Sequence, residues 1–383
     1  MQKIVRKLPL AAVIVSASLL AACGGGGDTT TSSSEQTLVG TFKDSNVSGL
    51  NYSCGTYTSI TNELGQFNYR NGDTCTFSVG NVNIGSAAGS TLITPSELAN
   101  DNGSVTGTQT VNRVRFLMLL DEDQNPDNGI QITESTRNLA KNWSPVNFAS
   151  NSLDNDLIAI QQTLGPSKKL PTSIDASNHF TETLRCARSG MFVGNYSGAD
   201  TGKWGMLVSP NGAAVALGFS NSAQSTFSST TRVSDDKLGG FSGITTTNAQ
   251  YSGSYNGYNQ LIGSATNSGQ SVSFTAQRVG STSQAKLRFI GAYDFVFFTV
   301  DTNADGITGS AIAYNIYEDR QYPVSFNVSG NNVSGTASDG SQFNATISSN
   351  CSNGNPLCLT GSINNPRLSQ PLSIIGSGCQ LNP

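Results

Sequence analysis

The sequence predicts a mostly β protein: an N-terminal β-sandwich unit, a small helical insert and a C-terminal antiparallel β-barrel or sandwich. Three observations carry this. Charged residues make up only 12% of the 383, whereas glycine alone contributes 41, a composition of strands broken by many turns. Apolar residues alternate at period two in the first and last parts of the chain, placing one strand face in a core. Between those parts the apolar spacing lengthens to three and four residues, the period of a helix.

The first residues read as an export signal. Lys3, Arg6 and Lys7 precede an apolar run from Leu8 to Leu20, too short to cross a bilayer, and Leu20-Ala21-Ala22-Cys23 follows at once. This string resembles the lipobox of bacterial lipoproteins. The resemblance implies cleavage after residue 22, acylation of Cys23 (palmitate among the acyl groups) and a membrane anchor at that residue. Residues 23–37, rich in Gly, Ser and Thr, form a flexible tether. Gly24 stands where an inner-membrane retention signal would place Asp, so the resemblance implies the outer membrane. Its periplasmic and cell-surface faces are both open. Loss of three basic residues takes the formal net charge from −4 to −7, which argues against nucleic acid and against a polybasic membrane patch.

Residues 38–95 form the N-terminal β unit. Phe67 and Tyr69 alternate, as do Cys75, Phe77 and Val79, and Asn71-Gly72 predicts a hairpin turn. The strings D-x-x-V-x-G-L-x-Y, from Asp44, and T-x-x-x-G-x-F-x-Y-x-x-G-D, from Thr61, resemble the start of an uncharacterised family of Gram-negative lipoproteins. They are also similar to the transthyretin-like β-sandwich appended to some carboxypeptidases. The resemblance covers about sixty residues; it implies a fold and supplies no catalytic residue.

Residues 96–190 form the helical insert. Val111, Val114, Leu117 and Met118 have helical spacing, a second helix runs from Leu153, and a third from about Asn178 to Arg188, with Ser177 as its N-cap and Gly190 just past its end. Residues 191–383 return to strands, with 191–285 and 286–383 as two weak repeats. A meander closed into a barrel or sandwich would hide its edges.

With Cys23 acylated, six of the seven cysteines remain. An even number in an oxidising compartment points to disulfides, although sequence alone leaves the connectivity open. Proximity favours Cys54–Cys75 and Cys351–Cys358, which leaves Cys186 for Cys379.

The single histidine, His179, excludes a two-histidine metal site and reads as a capping or surface residue. There is no Gly-x-Ser-x-Gly elbow and no Walker A loop. Two acidic loops offer oxygens on alternate residues, as calcium prefers. One holds Asp121, Asp123, Asn125 and Asp127, with Asn128-Gly129 turning it. The other holds Asp301, Asn303 and Asp305, and lacks the carboxylate a full EF-hand loop needs, since Ile312 stands at its twelfth position. The bland readings are a solvated turn for the first loop and a hairpin for the second. Tyr196, Trp204, Tyr251, Tyr255 and Tyr258 are either strand core, the favoured reading, or an exposed aromatic face.

The expectation is therefore a lipid-anchored envelope protein acting as a non-catalytic, adhesin-like binding module for a protein or glycan. It needs no cofactor unless calcium fills the acidic loops. The alternatives are a periplasm-facing accessory for envelope assembly or transport, and a glycan hydrolase using a carboxylate pair.

Overall fold

The computed structural model describes residues 36–281, 284–366 and 369–382; the signal segment, Cys23 and the tether up to Glu35 lie outside them. The chain from Gln36 onward forms one compact unit. It is mostly β, and no helix among the described residues is long and apolar enough to cross a membrane.

Eight short strands open the unit: β1 Leu38–Phe42, β2 Val47–Ser48, β3 Asn51–Cys54, β4 Tyr57–Ile60, β5 Gln66–Tyr69, β6 Thr74–Val79, β7 Val82–Ala88 and β8 Leu92–Ile93. Seven of them, all but β2, make two facing sheets, ordered β5-β1-β8 and β4-β3-β6-β7. The predicted alternation puts Phe67, Tyr69, Cys75, Phe77 and Val79 inside. Phe77 lies between Phe42 and Phe67, with ring centroids 4.8 and 5.2 Å away. Asn71-Gly72 does turn the chain, with Gly72 at φ +89° and the Asp73 amide donating to the Arg70 carbonyl at 3.1 Å. It is not a hairpin. The strands it joins belong to different sheets, β5 pairing with β1 and β6 with β3 and β7, so the turn is the corner of the sandwich.

Four helices follow, with one short strand among them: α1 Thr108–Leu120, β9 Ile130–Gln131, α2 Glu134–Ala140, α3 Asp154–Leu164 and α4 Ser173–Arg188. β9 pairs with β2 and so ties this region to the first unit. α1 is buried on nearly every side, including its polar residues. Asn112 donates to the Phe148 and Ser150 carbonyls, and Arg113 to the Ile84 carbonyl, so the burial of these two side chains is compensated. Two sequence expectations change here. α4 begins five residues before Asn178, capped by Thr172 and not Ser177: Thr172 Oγ1 accepts from the Asp175 amide at 3.1 Å. The apolar stripe understates that helix because its first turn, with Ile174 exposed, lies outside the core. α2 was not foreseen. It is a single short element in which only Thr136 and Ala140 are buried, too few to set a period, and its cap is Thr133.

Then come two meanders of eight strands each. The first holds β10 Gly190–Gly198, β11 Gly202–Val208, β12 Ala213–Ser220, β13 Ser225–Arg232, β14 Phe241–Ile244, β15 Gln250–Asn256, β16 Gln260–Asn267 and β17 Gln270–Val279. β10 pairs with β17, and the sheet is open only between β13 and β14. Hydroxyl groups bridge that seam: Ser229 Oγ donates to the Ile244 carbonyl at 2.8 Å and Thr231 Oγ1 to the Ser242 carbonyl at 2.6 Å. The second meander holds β18 Leu287–Tyr293, β19 Val296–Thr302, β20 Gly309–Asn315, β21 Arg320–Ser329, β22 Asn332–Ala337, β23 Gln342–Ser348, β24 Leu357–Asn364 and β25 Leu372–Gln380. It is a closed barrel, β18 pairing with β25. Closure removes the exposed edges of both sheets almost completely.

The barrels share a core of Met191, Leu207, Ile290, Phe297, Tyr314 and Ile316. Gly205 permits the close approach: a Cβ there would lie 3.1 Å from the Phe192 carbonyl oxygen and 3.4 Å from Ile316. The end of α4 is wedged beside them. Arg278 donates to the carbonyls of Ala187, Ser189 and Tyr258, and Arg288 to that of Ser189. These cations meet the negative end of the α4 dipole. Disulfides join Cys54–Cys75, Cys186–Cys379 and Cys351–Cys358. The second fastens α4 to β25.

Candidate binding site

The hairpins β10–β11, β12–β13, β14–β15 and β16–β17 all turn at one end of the first barrel, and that end is open. Below them is a cavity of about 310 Å³. Its wall follows from the pleat. Along β12, Ala214, Ala216, Gly218 and Ser220 face inward while Val215 points out. Small residues on this strand leave room, and Phe227 from β13 lies over Gly218, where any Cβ would meet its ring at 2.2 Å. Tyr196, Trp204, Tyr251 and Phe274 complete an aromatic lining. Trp204 and Phe274 meet edge to face at 4.7 Å, and Tyr196 and Phe227 at 5.9 Å. The floor is solid, filled by Phe192, Met206, Phe241, Tyr255 and Leu261.

Asp200 stands at the rim. Its carboxylate accepts from the Tyr196 hydroxyl at 3.0 Å, the Ser220 hydroxyl at 2.7 Å and the Thr201 and Ser222 amides at 2.7 and 3.3 Å. Burial works against ionisation, but these donors outweigh it and hold the carboxyl at about 2. It pins two hairpins of the mouth together. Burial and the Asp200 charge push the Tyr196 phenol upward, so it stays a donor.

The five aromatics singled out in the sequence are not an exposed face. Tyr196, Trp204, Tyr255 and Tyr258 are buried and Tyr251 is half-buried. Three of them line the cavity, Tyr255 fills its floor, and Tyr258 packs with α1 and α4. Phe227 and Phe274 were missed, although each is a lone aromatic at an alternating position in a strand of Ser and Thr.

The side chains of the acidic loops have partners within the chain. Asp121 is buried just past α1, where its Oδ1 accepts from the Gln131 amide at 2.8 Å. Asp123 accepts from the Asn125 amide and the Asn128 side chain. Lys168 places its ammonium on the carbonyls of Asp121 and Glu122, so a lysine already meets the negative end of that helix. Asn125 and Asp127 lie in the short turn beyond. In the second loop Asp301 turns inward to a buried ion pair with Arg288, 2.9 Å away. Asp305 accepts from the Ile307 and Thr308 amides within the β19–β20 hairpin, and Asn303 donates to the Thr308 hydroxyl. Among the described residues, no three acidic, histidine or cysteine side chains converge as a metal set.

His179 is neither a cap nor a surface residue. It lies inside α4 with its side chain 9% exposed, and Nε2 is 3.3 Å from Oδ1 of Asp44, which is fully buried. The pair is close but poorly aligned, and neither Asp44 oxygen has a hydrogen bond. Asp44 is the first residue of the string that carried the family resemblance. Beside it, Lys43 is also buried, donating to Asn46 at 2.9 Å and Asn382 at 3.0 Å.

No family model and no curated protein matches the chain. A solved structure, that of kievitone hydratase from Nectria haematococca, aligns with 52% of this chain and 90% of that one, at 10% identity and a TM-score of 0.21. A likeness so slight carries no argument about function.

Proposed function

We propose that this is a lipid-anchored envelope protein that works as a non-catalytic binding module, with the mouth of the first barrel as its binding end. The observation that carries the reading is the open, aromatic cavity above a filled floor, a form in which eight-stranded barrels hold one small ligand. The lipobox-like string ending at Cys23 supports the anchor. Among the described residues lining the cavity the only carboxylate is Asp200, and hydrolysis of a glycosidic bond by paired carboxylates needs two. Its four donors also leave it little capacity to take up a proton.

The test is a thermal-shift screen of metabolites, glycans and peptides against the wild type and Ala216→Trp, which fills the cavity from β12. A ligand that raises Tm only in the wild type supports the reading. Turnover of a glycan, abolished by replacing one carboxylate, would overturn it. The anchor is checked separately: metabolic labelling with palmitate should mark the wild type and not Cys23→Ser. Protease shaving of intact cells then assigns the face, since an inward-facing accessory is protected.

A further inference from the structure

We infer that the cavity of the first barrel takes an uncharged, compact ligand built of flat rings; this rests on the binding role proposed above. The chemistry of the wall comes first. Its rings are placed edge to face, and such side chains receive another ring face or edge better than a saturated chain. Their polar groups are already used: Trp204 Nε1 donates to the Thr275 carbonyl at 3.1 Å, Tyr196 bonds to Asp200, and the Tyr251 and Ser229 hydroxyls bond each other at 3.0 Å. A sugar, whose hydroxyls each need a partner once buried, would find partners mainly at the rim, where Ser225, Thr266, Asn267 and Gln270 stand, and few against the aromatic wall below it.

Charge gives the second constraint. No lysine, arginine or histidine is among the described lining residues, so an anion would enter without a counter-charge. A cation would meet only Asp200, whose carboxylate already accepts four hydrogen bonds.

Depth gives the third. On β17 the lining runs from Gln270 to Phe274, and Ala276 belongs to the filled core. Four residues of strand span about 13 Å, which the tilt of barrel strands reduces to about 10 Å of depth. A membrane acyl chain needs about 15 Å, half the hydrocarbon thickness. The cavity is too shallow for such a chain, and its volume of about 310 Å³ admits fused or paired rings.

The experiment uses the exported chain carrying Cys23→Ser, which requires no detergent. N-phenyl-1-naphthylamine, a neutral probe of three rings, is titrated by its fluorescence and by energy transfer from tryptophan. cis-Parinaric acid serves as the acyl probe and a linear oligosaccharide, followed by calorimetry, as the polar one. The expected result is one naphthylamine per chain, weakened at least tenfold by Ala216→Trp and unchanged by Val215→Trp, whose added ring lies outside the same strand. Ala265→Trp at the rim, a half-exposed position, should weaken binding as well and guards against misfolding of the Ala216 variant. Equal binding by all variants would place the probe elsewhere and overturn the inference. If only the acyl or sugar probe binds, and Ala216→Trp removes it, the ligand class is wrong and the binding role stands. If none of the three binds, the inference fails, and the binding role is decided by the wider screen of metabolites, glycans and peptides.

Discussion

Asp44 and His179 form a buried polar contact between the N-terminal unit and α4. Two groups withdrawn from water must hold each other, and here one partner has no hydrogen bond to fall back on. Removing the imidazole leaves a buried carboxylate uncompensated, so His179→Ala should cost about 3 kcal/mol in urea unfolding at pH 6. Burial alone would lower the pKa of His179; the Asp44 carboxylate outweighs it and raises the value above 6.5. The folded state therefore binds the proton more tightly than the unfolded one. The stabilisation is complete below 6.5 and is lost as pH rises through the higher folded value. Because the buried Lys43, brought down to about 7, adds stability as pH rises, the expected signature is a Tm profile that over that range falls more, or rises less, in the wild type than in His179→Gln. Asp121 acts with the opposite benefit. Burial, aided by the neighbouring Asp123, pushes it up from 3.8 to about 6. The protonated form suits the fold, so stability falls as pH climbs from about 4 to about 6. Asp121→Asn keeps the acceptor for Gln131 and should raise Tm at pH 7 but not at pH 4.

At the scale of elements, the strands were the easiest to foresee. One buried face imposes strict alternation on every strand, and that pattern survives in a list of letters. The helices were harder. α1 showed its period at Val111, Val114, Leu117 and Met118, but α2 has too few buried residues to show any, and the first turn of α4 lies outside the core. The disulfide pairing followed from proximity because two of the bridges close short segments. Their energetic weights should differ. Cys186–Cys379 spans 193 residues and Cys351–Cys358 only 7. The chain-entropy relation gives about 5 kcal/mol for the first and about 2 kcal/mol for the second. Double Cys→Ala variants compared by urea unfolding should keep that order.

For the whole molecule, the sequence showed a β-rich second half but not a cavity. Hollow space depends on which inward residues are small where the strands meet, as at Ala216 and Gly218, and no single strand records its neighbours. The buried ion pairs were hidden for the same reason: Asp44 and His179 are joined only by the packing of α4 on the first unit. The packing also makes the regions interdependent. Trp143 reports on the core of the N-terminal part and Trp204 on the first barrel. Single-tryptophan variants, Trp204→Phe and Trp143→Phe, should unfold in urea with the same midpoint. Separate midpoints would show that the barrel-bound end of α4 does not transmit stability between them.

The hydrogen bond from Lys43 to Asn382 spans 339 positions and has a kinetic consequence. Burial, with the nearby Arg288 charge, brings Lys43 down to about 7, so this ammonium is held in the interior at a cost that Asn46 and Asn382 offset. Half of that help arrives only when the last strand of the second barrel is in place. The same strand brings the partner of Cys186. Contacts of such long range are slow to form, because the loop must close before the contact can reward it. Whatever part of the chain is made first must therefore wait, incompletely sealed, for what is made last.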